Sequence, residues 1–384
     1  MTFSLEALHY ETLHPVRIEV VNGVISAVIE LDRSESVASL LIVAPGLIDN
    51  QVNGYAGVDF SGEGLMVQDV VKATTAMMQT GVTTYLPTLV TNTPENLIRN
   101  FRVLADSLSE EAVQLSVPGF HLEGPWLSKL DGYRGCHRED LLTLPDLAEM
   151  TAYQEAAGGK IMQLTIAPEL PGASEMISYC KSNGIVTAMG HSNAGSMAIR
   201  KACEKGMALS THLGNGCANM IHRHNNPIWP QLANDQLIPT VIADGHHLTP
   251  DELKVFLKVK GAERLILTSD ITYLAGMPAG RYNFAGAAVI LTEDGMLKSA
   301  DQDVLAGASL PLIRGVENMI RFTGCTLGEA INMASGNMAK VFGWEDRGAL
   351  LPGKRADLVL LASNEGHLKV HKTIVAGKIV FIDI

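Results

Sequence analysis

Along the chain, short apolar runs alternate with longer segments in which apolar residues recur at three- and four-residue spacing. The short runs read as strands over residues 42–51, 83–89, 115–123, 162–167, 185–191, 208–212, 240–244 and 264–270. Between them the helical period predicts helices over 67–79, 94–107, 173–181, 197–204 and 250–258. Strand followed by helix, repeated, is the pattern of βα units around a parallel sheet. Eight such strands predict an α/β fold of the (β/α)8 barrel type. The two ends differ from this middle. Residues 16–43 read as β structure only, with Val16-Arg17-Ile18-Glu19-Val20 alternating and Asn22-Gly23 signalling a hairpin before 24–29. The C-terminus mirrors it with runs at 356–361, 369–375 and 379–382, the last two separated by Ala376-Gly377-Lys378. The expected organisation is a small β-sandwich domain built from 1–43 and 344–384, flanking a barrel over 44–343.

Polar residues interrupt the apolar pattern at places that matter for a barrel. Gln51, Glu123, His191, His212 and Asp270 each close a different strand, where a barrel presents its catalytic groups. An open doubly wound sheet would gather them at one switch point, and neither G-x-G-x-x-G after the first strand nor a P-loop is present. Glu123, His191 and His212 offer one carboxylate and two imidazoles, which leaves a position on a divalent ion open to water. Any one of these histidines alone reads first as a hydrogen-bonded core residue; placed together at strand ends, they point to a metal. Zinc is the first expectation, with iron, manganese and cobalt also suited to such a donor set. His121 shares a strand face with Glu123 and reads as a packing residue or one that orients a ligand.

Asp270 follows so apolar a run that its carboxylate needs a partner. It reads either as a helix N-cap or as a general base. Asn215 and Gly216, just after His212, together with Arg223 and His247, supply polar groups able to hold an anion at the barrel mouth.

Composition narrows the class. Of 384 residues, 47% are hydrophobic and 18% charged, too apolar for a disordered chain. Lys plus Arg number 29 against 41 acidic residues, a net charge of −12 with no basic run, which argues against nucleic acid as a partner. The five cysteines are widely spaced without a C-x-x-C pair, so neither a disulfide framework nor a thiolate zinc knuckle fits. Glu6, His9, Glu11 and Arg17 break up the start of the chain, unlike a signal peptide, and no long uncharged apolar stretch follows. A soluble cytoplasmic protein without membrane association is expected.

Several strings carry a family likeness: Ala44-Pro45-Gly46-Leu47-Ile48-Asp49, Gln51-Val52-Asn53-Gly54, Tyr85-Leu86-Pro87-Thr88, His121-Leu122-Glu123-Gly124-Pro125-Trp126, Gly190-His191-Ser192 and Ile242-Ala243-Asp244-Gly245. From about residue 20 onward the chain resembles the N-acetylglucosamine-6-phosphate deacetylase family of the amidohydrolase superfamily. The resemblance implies one divalent metal on Glu123, His191 and His212, with Asp270 as general base. It implies that His137, in Gly135-Cys136-His137, polarises the substrate carbonyl, and that Asn215, Arg223 and His247 hold a sugar phosphate. It also implies a homodimer. Most amidohydrolases carry H-x-H where this chain has Gln51-Val52-Asn53, so Gln51 marks the place of a lost metal ligand.

Departures from the family pattern fall in loops 128–138, 214–217 and 222–229, all of which shape the substrate pocket. The expected activity is deacetylation of N-acetylglucosamine 6-phosphate, or a close N-acetyl amino-sugar phosphate, to the free amine and acetate. Two alternatives stay open: the same fold acting on an unphosphorylated or cyclic amide or as a deaminase, and a non-catalytic barrel that binds a sugar phosphate.

Overall fold

The computed structural model describes residues 2–32, 41–284, 287–301, 304–364 and 366–383. The stretch 33–40 of the expected N-terminal β region lies outside the described residues. Eight parallel strands follow one another in chain order: Leu47–Val52, Val82–Val90, Phe120–Glu123, Ile161–Ile166, Val186–Met189, Leu209–Ser210, Ile238–Val241 and Ile266–Leu267. The ring closes where Val52 bridges Ile271 and the Asn53 amide donates to the Ile271 carbonyl at 2.9 Å. The molecule is thus a (β/α)8 barrel with a separate sheet made from both chain ends.

Two apolar runs divide differently from their expected bounds. In 115–123, helix Glu111–Ser116 takes the first residues and the strand begins only at Phe120. Pro118 explains the break: it lacks an N–H and forces Val117 into an extended conformation, observed at φ −114° and ψ 97°. In 42–51 the chain crosses between sheets at Gly46, so Ile42–Pro45 pairs with the strands at the chain ends and Leu47–Val52 opens the barrel.

The helices follow their sequence signals closely. Thr93 and Thr249 cap helices Pro94–Ser107 and Pro250–Lys260, each with proline at the first position, and Glu252 completes a capping box with Thr249. Leu97, Phe101 and Leu104 of the first of these face the barrel, where Phe101 packs against Phe120 and Tyr153. Each such buried side chain contributes about 1.5–3 kcal/mol through removal from water.

The barrel interior is layered. At its base Ile48, Ala188, Leu209 and Ile266 form an apolar floor closed by Met338 and Ala339 of helix Gly336–Phe342. Above them lies a polar layer. His121 meets Thr88 Oγ1 at 3.2 Å and Thr165 Oγ1 at 2.8 Å, and Asn50 donates to Gln163 at 3.0 Å. Mutual bonding offsets the desolvation of these groups, and burial holds His121 neutral by lowering its pKa to about 4. The candidate site sits on this layer.

Strands Thr2–His9, Pro15–Val21, Val24–Glu30, Ile42–Pro45, Leu358–Asn364, His367–Val375 and Lys378–Ile382 form the small β unit, hydrogen-bonded as one continuous seven-stranded sheet. Asn22 and Gly23 take φ of 52° and 80°, as the predicted hairpin turn requires. A three-stranded antiparallel sheet, Gly280–Phe284, Ala287–Leu291 and Leu297–Ser299, follows the eighth barrel strand and was not signalled by the sequence pattern. Among the described residues no helix is long and apolar enough to cross a membrane.

Candidate active site

Backbone conformation distinguishes the strand ends. His191, His212 and Asp270 lie just beyond their strands with φ of 48°, 32° and 50°, a region that side chains other than glycine rarely adopt. Such strain persists only where surrounding contacts hold it, and it clusters at functional sites. Around His191 those contacts are visible: its carbonyl accepts from Ser128 N at 3.0 Å, while Glu169 accepts from Ser192 Oγ and Asn193 N, both at 2.7 Å.

These turns aim three ligand atoms at one point. One atom each from Glu123, His191 and His212 lies within 4.8 Å of the others, and all three residues are buried. Glu123 Oε1 is 3.3 Å from His212 Nε2 and 3.5 Å from His191 Nε2, and the two imidazole nitrogens are 3.1 Å apart. His191 Nδ1 faces the Tyr133 carbonyl at 3.1 Å; a proton there leaves Nε2 with a lone pair toward the cluster. Burial opposes the charge of Glu123, yet its bonds to His191 and His212 hold it well below the usual carboxylate range. For His212 burial likewise opposes the cation, but Glu123 and Asp270 raise its pKa. A buried carboxylate and two buried imidazoles converging on one point fit a divalent cation.

Gly216 packs against this cluster. A Cβ added there would lie 3.0 Å from His191 Nδ1 and 3.1 Å from His212 Cε1, on a backbone with φ of +62°. Gln51 enters from the first strand, its Nε2 donating to Glu123 Oε1 at 3.0 Å. His137 meets the edge of His191 with ring centroids 4.4 Å apart. Burial first, and the neighbouring His191 second, lower its pKa to about 3, so the ring is neutral. Its Nδ1 lies 2.8 Å from Thr91 Oγ1; when the hydroxyl donates to that nitrogen, the ring proton stays on Nε2.

Asp270 retains some solvent contact and is held by Asn53, whose Nδ2 donates to its Oδ1 at 2.8 Å. Desolvation and the charge of Glu123 push its carboxyl up to about 7. His247 Nδ1 sits 2.8 Å from Asp244 Oδ2, and Asp244 Oδ1 also accepts the backbone N–H groups of His246 and His247. Asn215 lies at the turn after His212, its Nδ2 buried without a partner among the described residues. Arg223 is exposed on its loop, outside the buried cluster.

The structure therefore brings together Glu123, His191, His212, Gln51 and His137, with Gly216 packed behind two of them. Asp270 stands beside them on Asn53. Asn53, Thr91, Tyr133, Asp244 and Glu169 carry contacts that sequence reasoning did not assign. Only Asn53 had a usable signal, since it lies two residues after Gln51 in Gln51-Val52-Asn53, just past the end of the first strand.

The model of the amidohydrolase family matches residues 42–380. The chain is similar to N-acetylglucosamine-6-phosphate deacetylase of Lysinibacillus sphaericus, 31% identical over 352 residues that cover 91% of this chain and 87% of that one. It is also similar to N-acetylgalactosamine-6-phosphate deacetylase of Escherichia coli O157:H7, 30% identical with 90% of each chain covered. Among solved structures, N-acetylglucosamine-6-phosphate deacetylase of Thermotoga maritima superposes with a TM-score of 0.87 at 29% identity, covering 99% of this chain and 100% of that one. A mutant of the Mycobacterium smegmatis deacetylase, in complex with N-acetyl-D-glucosamine-6-phosphate, gives the same TM-score at 28% identity with 99% of each chain covered.

Proposed function

The chain belongs to the amidohydrolase family, and on that premise we propose that it deacetylates N-acetylglucosamine 6-phosphate to the free amine and acetate. The observation that carries the proposal is the convergence of Glu123, His191 and His212 beside Asp270, in a chain whose relatives are deacetylases. Glu123, His191 and His212 would hold one divalent ion per chain, zinc in this reading. When bound, such an ion supplies Lewis acidity to the acetyl oxygen.

The remaining chemistry belongs to side chains. Asp270 accepts a proton from the attacking water and returns it to nitrogen, without which the amine would have to leave as an anion. A carboxyl raised to about 7 is matched to taking and giving a proton near neutrality. Neutral His137 donates from Nε2 to the acetyl oxygen, where negative charge develops. Gln51, in place of a histidine ligand, gives Glu123 a hydrogen bond and supports a single metal position. Asn215, Arg223 and His247 hold the 6-phosphate, with Arg223 supplying a forked pair of donors. The exposed Met220 and Trp229 near the same mouth support a homodimer, and five free cysteines support a cytoplasmic location.

Similarity to an N-acetylgalactosamine-6-phosphate deacetylase favours a second sugar, the 4-epimer. Turnover by the metal-loaded protein against N-acetylglucosamine and N-acetylgalactosamine, each with and without 6-phosphate, tests both readings. We expect a strong preference for phosphorylated substrates that Arg223→Ala abolishes by raising KM. Equal kcat/KM on phosphorylated and plain sugars would reject the sugar-phosphate assignment.

A further inference from the structure

We infer that Asn53 is a positioning residue for Asp270, its amide fixing which carboxylate oxygen faces the reacting atoms. The inference rests on the reading of Asp270 as proton carrier. Asn53 Nδ2 lies 2.8 Å from Asp270 Oδ1 and 3.4 Å from the backbone oxygen of the same residue, so one NH2 group reaches both. Asp270 needs an outside restraint: its strand, Ile266–Leu267, has ended, and its backbone stands at φ 50°. Asn53 can provide one because its own backbone is anchored on both sides. Its N–H donates to the Ile271 carbonyl at 2.9 Å, and its carbonyl accepts from Phe60 N at 3.1 Å.

With Oδ1 committed to Asn53, Oδ2 is the oxygen left to move a proton. A neutral amide is suited to this task, because it orients a carboxylate without adding the fixed positive charge that would weaken it as a base. Gln51 does the same for the other carboxylate of the site, donating to Glu123 Oε1 at 3.0 Å from two residues earlier. The first strand and the residue just past its end thus supply one amide donor to each of the two carboxylates, at the positions where most amidohydrolases carry histidine.

The test compares Asn53→Ala, the isosteric Asn53→Asp, Asp270→Asn and the double variant Asn53→Ala/Asp270→Asn, all metal-loaded and assayed on N-acetylglucosamine 6-phosphate. Asp270→Asn alone should lower kcat by roughly 10²–10⁴. Asn53→Ala should lower kcat by roughly 10–100-fold, the cost of a catalytic group displaced by about 1 Å. Its KM should stay within about twofold, and its metal content by elemental analysis should match wild type. Asn53→Asp should fold as wild type does and lose at least as much kcat, since it turns a donor toward Asp270 into a charged acceptor. In the Asp270→Asn background, Asn53→Ala should cost less than about twofold, because a residue acting through Asp270 has nothing left to position. A full, additive penalty in that background, loss of metal, or wild-type kcat in Asn53→Asp would overturn the positioning role alone. Near-wild-type turnover by Asp270→Asn would overturn it together with the proton-carrier reading beneath it.

Discussion

Asp49 stands on the first barrel strand and Asp270 just beyond the last, yet their surroundings prepare them for different tasks. Asp270 keeps solvent contact at the mouth, whereas Asp49 is sealed inside the barrel. Thr268 Oγ1 and Ser269 N donate to Asp49 Oδ1 at 3.0 and 3.1 Å, while Oδ2 has no partner among the described residues. Burial therefore raises its pKa from the usual 3.8 to about 6, the bonds from Ser269 and Thr268 offsetting only part of the cost. Because the folded value exceeds the unfolded one, the stability linked to this group is fully present below about pH 4 and is lost as pH rises through about 6. The loss amounts to about 3 kcal/mol. Asp49→Asn keeps an acceptor and removes the charge. It should unfold at the same urea concentration as wild type near pH 4 and show a stability gain approaching that figure by pH 7. A difference independent of pH would mean that Asp49 does not titrate in this window.

At the scale of elements, the site is made by what happens immediately after strands end. The loop following the sixth strand holds Gly216 against the imidazoles of His191 and His212, where a methyl group would sit 3.0 and 3.1 Å from them. Gly216→Ala therefore pushes on His191 and His212, and it also strains a backbone at φ +62°. The expected result is a 10–100-fold loss of metal affinity, measured by chelator competition, in a protein whose circular dichroism is unchanged. Unaltered affinity would show that the loop yields instead. Helices behave differently from these loops, because their limits are set locally. Thr93-Pro94 and Thr249-Pro250 announce helix starts, and the structure begins both helices at the proline.

At the scale of the molecule, Glu123 closes the third strand while His191 and His212 follow the fifth and sixth, so a cation bound at this candidate site would tie together parts of the barrel that are distant in sequence. Binding only to the folded state stabilises by about 2.7 kcal/mol at a ligand concentration of one hundred times Kd. Chelation should lower Tm by about 5 °C, using the smaller shift per kcal/mol found for larger domains. His191→Ala should already sit at the lower Tm and should not respond to chelator. Equal chelator sensitivity in the variant and in wild type would place the stabilising ion elsewhere.

The alternation of apolar runs with helical periods already determined the barrel, because burying strands and packing helices over them are demands that each segment states in its own residues. That Glu123, His191 and His212 gather with Asp270 beside them was legible for a related reason: these are residue types suited to metal and proton chemistry, and each stands where an apolar run stops. What tertiary structure alone decided are relations between segments. That Asn53 serves Asp270, 217 residues away, follows from the closure of the first strand against the chain beyond the last. Ile42–Pro45 joined the terminal sheet rather than the barrel because its partners, Leu8 and His9 on one side and Leu358 to Leu361 on the other, come from the two ends of the chain. The left-handed backbone at His191, His212 and Asp270 belongs to the tertiary level as well. Histidine and aspartate adopt it more readily than most side chains, yet it stays uncommon, and around His191 the contacts of the assembled mouth are seen to hold it.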